Sequence, residues 1–370
     1  MPLVAEAIIT GQDSRTLAAV GEFGLIKELA AALPPGRRTL VGIGDDAAVL
    51  AVPDGRVVAT TDFLLEGRHF RRDWSSAADV GHKAAARSLA DLAAMGAEPS
   101  ALLVALAAPA DLPVRWAREL AGGLAAECAR AGASVVGGDT ARAGSVLLAV
   151  TGLGDLAGRA PVLRSGAAPG DLAAVAGPLG DAAAGLALLT TGLTTGLTTG
   201  RDAGPAGEAA LISAHRRPAP PYDAGPEAAD LGATAMIDVS DGLLADLGHV
   251  AAASGVRIDL DSGALRPGMR LLGAARAVQA ARRHVSPDRT GTVSRPADAV
   301  PPTAEALRWV LSGGEDHSLA ATFPPGTRLP PRWRVIGAVH QGEGVVVDGQ
   351  PWALEDGAPG WDHFREAPGG

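Results

Sequence analysis

Apolar residues fall at helical spacing over 23–32 (FGLIKELAAA), and β-rich segments follow at 39–43, 47–52 and 57–62, parted by Gly-Asp-Asp and Pro-Asp-Gly turns. A helix therefore feeds a small sheet. The pattern next predicts a long helix over 77–96, a strand over 99–107, a helix over 113–131, and strands near 133–137 and 145–153. Arg164-Ser165-Gly166 and Pro169-Gly170 mark a linker, after which strand and helix units resume at DLAAVA (171–176), with a helix from about 181. The expected division is one domain over 21–160 and a second over 166–365. Inside the second, Thr190–Gly200 reads TTGLTTGLTTG, turn-formers and β-branched residues of poor helix propensity, so 190–204 is expected to be a loop insertion. Residues 263–300, rich in Arg, Ala and Pro, read as a long exposed loop carrying one helix. The two aromatics of GWDHF (360–364) are expected to dock on the body.

Composition sharpens this picture. At 370 residues and 47% hydrophobic the chain can bury a sizeable core, and its length favours two domains. With aromatics at 3%, that core must be Ala, Val and Leu, and 49 glycines and 27 prolines imply many tight turns, as in an α+β or α/β protein. The opening residues lack a basic n-region and a long apolar h-region, and no stretch approaches a membrane span of roughly 18 apolar residues. A cytoplasmic protein is expected, with no membrane partner. Cys128 is the only cysteine, which excludes a disulfide framework and a cysteine zinc site. The net charge of −9 and the presence of only two lysines, Lys27 and Lys83, argue against a nucleic-acid partner.

Two phosphate-binding signatures can be set aside. Val41-Gly42-Ile43-Gly44-Asp45-Asp46-Ala47 matches GxGxxA after a strand, but carboxylates occupy the place where amides should face a pyrophosphate, and a strand rather than a helix follows. Neither lysine sits in a Gly-Lys-Ser/Thr loop, and HExxH and the protein-kinase motifs are absent. What remains is a series of aspartates at turns and strand ends: Asp45 and Asp46, Asp62 in TTDF, Asp91 in LADL, Asp139 in VVGGDT, Asp238 and Asp241 in IDVSDG. Any one of them is more readily a turn or cap residue, and Asp45, Asp155 and Asp171 fit that role. The set together is different. Several directly follow apolar strands, and converging carboxylates with hydroxyls nearby are the hard oxygen donors of Mg²⁺ bridging to phosphates. Their mutual repulsion must be met by cations or by raised pKa values.

The helix over 77–96 places Lys83, Arg87 and Asp91 on one face. That face is either solvated or, lysine being so rare here, brings Lys83 to a phosphate. His69 in EGRHF reads by spacing alone as a surface or core histidine.

Taken in order, GEFGLI (21–26), GIGDDAAVL (42–50), TTDFLLEGRHF (60–70), KAAARSLADLAAMGAEP (83–99), VVGGDT (135–140), RSGAAPGD (164–171), GPLGDAAAGL (177–186), IDVSDGLLADLGH (237–249), SGGEDH (312–317) and GWDHF resemble the thiamine-monophosphate kinase family along almost the whole chain. GDDA and DxSDG are common to a wider superfamily that includes aminoimidazole ribonucleotide synthetase; GEFGLI, TTD…GxHF, SGGED and GWDHF discriminate the family. The resemblance implies an α+β, two-domain, aminoimidazole ribonucleotide synthetase-like fold whose N-terminal domains pair into a homodimer, with ATP as co-substrate and several Mg²⁺ ions. By position it implies metal ligands at Asp46, Thr60, Thr61, Asp62, Asp91, Asp139, Asp238 and Asp241, with Asp46, Asp62, Asp91 and Asp139 catalytic. It implies nucleotide contacts at Gly138, Asp139, Arg164 and Ser240, and thiamine monophosphate contacts at His69, Glu315 and Trp361. The chain departs from the family at Ser88 and Ala90, where Asn-x-Ser-Asp is usual, and at His317, often Tyr. The expected reaction is direct in-line phosphoryl transfer; the alternatives are another ATP-dependent superfamily enzyme and a catalytically silent regulatory dimer.

Overall fold

The computed structural model of the protein describes residues 15–43, 47–192, 206–285 and 300–352. The TTGL insertion beyond Gly192, Asp45, Asp46 and the GWDHF segment lie outside the described residues. The chain divides into two compact units, one from Met1–Ala51, Thr61–Ala85 and Ser100–Thr151, the other from Val52–Thr60, Ala86–Pro99 and Gly152–Gly370.

In the first unit, helix α1 (Leu17–Ala32) starts at the Thr16 cap, whose Oγ1 accepts from the Ala19 N–H, and is interrupted at Gly21, which has φ 66°. The apolar pattern beginning at Phe23 had suggested a start beyond that glycine. A two-stranded ribbon of β1 (Thr39–Val41) and β2 (Val49–Leu50) follows. Strands β3 (Val58–Leu65), β4 (Glu98–Ala108), β5 (Ser134–Arg142) and β6 (Leu147–Asp155) form a sheet in the order β3-β6-β4-β5. β4 and β5 are parallel, and the long crossover such a pair requires is helix α3 (Val114–Ala131). Helix α2 (Ala77–Ala94) meets α3 at two glycines: a Cβ at Gly81 would overlap the Leu120 carbonyl oxygen, and one at Gly123 that of Ala78. The helices can touch backbone to backbone only because both side chains are missing.

The strand expected to stop at Gly137-Gly138 does not stop. β5 continues to Arg142, pairing Gly138 with Val104 and Asp139 with Ala105. Glycines that read as a break are here a concession to a neighbouring backbone, since a Cβ on Gly138 would overlap the Val104 carbonyl.

The second unit is built on a six-stranded sheet, order β12-β9-β11-β7-β10-β8, from β7 (Leu172–Ala176), β8 (Ala235–Val239), β9 (Arg257–Leu260), β10 (Ser318–Phe323), β11 (Trp333–His340) and β12 (Gly344–Val347). β8 and β10 are buried at every residue, which is why AMIDV and SLAATF read as continuous apolar runs rather than alternating ones. Phe323 meets Trp333 edge-on at 5.1 Å, and the Trp333 indole N–H donates to Glu227 Oε2 at 3.1 Å. Helices α4 (Asp181–Thr190), α5 (Ala206–Arg216), α6 (Ala224–Asp230), α7 (Leu243–Ser254), α8 (Met269–Val285) and α9 (Pro302–Ser312) complete it. Among the described residues the Arg- and Ala-rich stretch holds one helix, 17 residues long; residues 286–299 lie outside the described set.

β10 runs antiparallel to both β7 and β8, with Leu319 opposite Ala176 on one side and Asp238 on the other. The loops leaving β7 and β8 and the loop entering β10 therefore emerge at the same end of the sheet. They are GPLGD, SDG and SGGEDH, three of the motifs singled out by sequence.

Candidate active site

At that end of the sheet the backbone itself is constrained. Glu315 and His317 hold φ 70° and 51°, values that side-chain-bearing residues rarely adopt and that cost on the order of 1–3 kcal/mol each unless the surroundings enforce them. Enforcement comes from the SDG loop: the Glu315 N–H donates to the Ser240 carbonyl at 2.7 Å and the His317 N–H to the Val239 carbonyl at 2.9 Å. Between these residues Asp316 is turned inward, its carboxylate accepting from the Gly180 and Ala182 N–H groups at 2.5 and 2.8 Å. It caps the start of α4 and ties the GPLGD loop to the SGGEDH loop.

His317 lies beside Asp238, with Nδ1 to Oδ2 at 3.1 Å, and both are buried. Burial works against the charged imidazole, but the bond to Asp238 and the negative charges of Asp238 and Glu315 outweigh it and raise the His317 pKa. Across from His317, the Glu315 carboxylate takes a 2.5 Å bond from Arg87 Nη1 on α2. Asp246 on α7 accepts from the Asp241 and Gly242 N–H groups at 3.1 and 3.0 Å and so shapes the SDG loop. Burial first, then the charges of Asp238 and Asp241, push Asp246 up to about 8.

In the same unit, Thr60 Oγ1 donates to Asp91 Oδ2 at 2.6 Å, joining two residues of the expected metal set. Arg164 sits in an exposed loop pinned by Ser254, whose hydroxyl donates to the Arg164 carbonyl and receives the Gly166 and Ala167 N–H groups. In the first unit, Asp62 lies on the same side of β3 as Thr60, while Thr61 points the other way, to the Thr151 hydroxyl at 3.3 Å. Asp139 is exposed, its carboxylate accepting from the Thr140 N–H at 2.8 Å. His69 accepts at Nδ1 from the Leu65 N–H at 3.0 Å, so its ring proton is on Nε2, and its carbonyl takes a 3.2 Å bond from Lys83. The face of α2 that sequence left open is not solvated: Lys83 and Arg87 are 2% and 9% exposed. Asp46 and Trp361 lie outside the described residues.

Among the described residues no three His, Cys, Asp or Glu side chains form a ready ligand group. The donors at Thr60, Asp91, Asp238 and Asp241 are nonetheless all carboxylate or hydroxyl oxygens, the chemistry of a hard divalent cation, and the charges of Asp238 and Asp241, which add to burial in raising Asp246, are what such an ion would neutralise. Sequence reasoning missed Asp246, Asp316 and Ser254 as builders of these loops. The one available hint was for Asp246, an acidic residue inside an otherwise apolar run.

The carboxyl at 316 gives the fold a measurable pH signature. Burial pushes Asp316 up to about 7, opposed by its two N–H bonds, whereas an unfolded aspartate titrates near about 4. Between those values the native state binds more protons than the unfolded chain, so this residue's contribution to stability falls as pH rises from about 4 to about 7 and is flat beyond. Asp316→Asn, which cannot ionise, should be less stable than wild type at pH 5 and lose that deficit by pH 8. Urea midpoints at the two pH values measure it; a constant gap would mean that Asp316 does not titrate in this window.

Residues 44–156 match the family described as AIR synthase related protein, N-terminal domain. Fold and sequence together place the chain in that α+β class. It is 44% identical over 355 residues to the thiamine-monophosphate kinase of Mycobacterium tuberculosis, covering 96% of this chain and 95% of the relative. The crystal structure of thiamine-monophosphate kinase from Stenotrophomonas maltophilia superposes with a TM-score of 0.71 at 32% identity, over 89% of this chain and 96% of that one. AaThiL complexed with AMPPCP and TMP superposes with a TM-score of 0.68 at 31% identity, over 93% and 97%. The chain belongs to the thiamine-monophosphate kinase family.

Proposed function

We propose that the chain transfers the γ-phosphoryl group of ATP to the phosphate of thiamine monophosphate, giving thiamine diphosphate and ADP. The observation that carries this is the likeness over 93% of its length to a structure that holds AMPPCP and TMP together. The acceptor needs little activation, since a phosphate monoester with a second pKa near about 6 is mostly ionised at neutral pH. No residue here must act as a strong base; His69 Nδ1 accepts from the backbone and His317 is committed to Asp238. A phospho-enzyme is not expected either. Cys128 is buried, and desolvation pushes its thiol up to about 12.

The difficulty is to bring two polyanions into line. Mg²⁺, when bound, would neutralise that repulsion and fix the oxygens, and Asp46, Thr60, Thr61, Asp62, Asp91, Asp139, Asp238 and Asp241 are the residues assigned to hold it. Gly138, Asp139, Arg164 and Ser240 are assigned to the nucleotide, and His69, Glu315 and Trp361 to thiamine monophosphate, where Trp361 would stack on a ring and Glu315 face the positive charge. The domain bounds proposed from sequence are 21–160 and 166–365, whereas the compact units put 52–60 and 86–99 with the second. Pairing of the first into a homodimer is supported by Phe63 and Leu103, 59% and 37% exposed on the four-stranded sheet. A cytoplasmic location is in keeping with the observation that no described helix is long and apolar enough to cross a membrane.

Purified protein with Mg-ATP should convert thiamine monophosphate and leave free thiamine untouched, because the in-line acceptor must itself be a charged phosphate. Product and ADP are read by chromatography. Turnover of free thiamine at a comparable kcat/KM would sink the proposal.

A further inference from the structure

Glu315 is assigned above to the cationic acceptor, yet it stands on a loop, and a carboxylate on a loop ordinarily samples several rotamers that binding must freeze. Two contacts remove that freedom in advance. Its backbone, at φ 70°, is fixed by the 2.7 Å bond from its N–H to Ser240, and its carboxylate by the 2.5 Å bond from Arg87 Nη1. The Arg87 side chain is 10% exposed and that of Glu315 26%, so the arginine is the better buried partner of the pair. Arg87 also lies one helical turn before Asp91, on the same side of α2, so one rigid element carries both the guanidinium that fixes Glu315 and a carboxylate assigned to the metal. Charge-assisted bonds of this kind are the strong ones, and preorganisation of a binding group appears as affinity.

We propose that Arg87 is a positioning residue for acceptor recognition: it holds the Glu315 carboxylate in the orientation that receives the positively charged thiazolium ring of thiamine monophosphate. The ring's charge is permanent, so the contact involves no proton. The guanidinium also offsets part of the cost of desolvating Glu315 when the acceptor covers it. This inference rests on the reading of the chain as a thiamine-monophosphate kinase and on the assignment of Glu315 within it.

The test is steady-state kinetics on the full chain for Arg87→Met, Arg87→Lys, Glu315→Gln and the double variant Arg87→Met/Glu315→Gln, with melting curves for each. Arg87→Met should raise the KM for thiamine monophosphate about tenfold while the KM for ATP stays within about twofold and kcat within about threefold. Lysine keeps the charge without the planar fork and should recover part of the loss. Because both residues act through one carboxylate, the double variant should bind the acceptor no worse than Glu315→Gln alone. A merely structural role would lower the melting temperature and leave the acceptor KM where it was. An arginine that only competes with the substrate would, when removed, lower that KM. Either outcome, or additive losses in the double variant, overturns the proposal. Should Arg87→Met fail to fold, Arg87→Lys carries the test, with an acceptor KM raised about threefold expected and an unchanged one against it. Absence of any thiamine diphosphate from the wild type would overturn the functional reading and this inference with it; wild-type turnover with insensitive variants overturns the inference alone.

Discussion

Asp91→Asn and Asp62→Asn are expected to lower kcat by roughly a hundredfold or more while leaving a folded protein, because an amide keeps the shape of each side chain and removes one negative charge from residues proposed to hold Mg²⁺. Asp91 receives the Thr60 hydroxyl at 2.6 Å, and an amide oxygen can still accept that bond. Local structure should therefore survive. Asp62 lies on the Thr60 side of β3 and is part-exposed, so its neutralisation opens no cavity. Stability without metal should hold or rise, since crowded carboxylates repel, and Mg-ATP should raise the melting temperature of the variants less than that of wild type. A turn or cap role predicts the reverse: near-normal kcat and a loss of roughly 0.5–2 kcal/mol. kcat measured against Mg²⁺ concentration, beside melting curves with and without Mg-ATP, separates the two. Near-wild-type activity in both variants would end the metal-site argument.

The second large effect is expected at Gly138. A methyl group there would overlap the carbonyl oxygen of Val104 in the paired strand, and backbone cannot swing aside as a side chain can. Gly138→Ala must part β4 from β5 or slip their register, at a loss of roughly 3 kcal/mol or more, the upper end for an overpacked site. Its neighbour supplies the control. At Gly137 the nearest atom is the Leu103 side chain, 3.2 Å away and able to turn, so Gly137→Ala should cost less than about 1 kcal/mol. Denaturant midpoints of the pair test this, and equal losses would show that the strand pairing is looser than described. If Gly138 also admits the nucleotide, the surviving fraction of the alanine variant should bind ATP weakly.

Much of this architecture could be read from the chain because local rules agree with the fold. The helices over 77–96 and 113–131 were legible from apolar spacing, and the structure places them at Ala77–Ala94 and Val114–Ala131. The strand over 99–107 became Glu98–Ala108. Reading failed where a residue answers to a distant neighbour instead of to its own segment. Gly137-Gly138 looked like a strand end because glycine usually is a break, and nothing nearby in sequence announces that Val104 lies against it. At Gly21 the error was one of position, since a single positive φ near the start of α1 hides the turn before it.

The candidate site divides in the same way. Its aspartates could be picked out as a series of carboxylates beside glycines, hydroxyls and apolar runs, although Asp91 lies inside α2 and Asp62, Asp139 and Asp238 within strands rather than at turns or after strand ends. Their supports could not. Arg87 and Glu315 are 228 residues apart, and the 79 residues between Asp238 and His317 give no local signal of their contact. His317 was noticed only as a departure from tyrosine; its bond to Asp238 gives that departure a physical setting. The alternation of the strand also turns the Thr61 side chain away from those of Thr60 and Asp62, which adjacent letters do not show.

The buried thiol has a practical reach beyond the reaction. Cys128 is the chain's only cysteine, it is 2% exposed, and its ionisation lies up near about 12, so maleimides and iodoacetamide at pH 7–8 should find no thiolate to attack in the native protein. A cysteine introduced at an open position such as Met269, 78% exposed, would then be the single group that reacts, and a fluorophore or spin label could be attached to this chain without first removing its native sulfur.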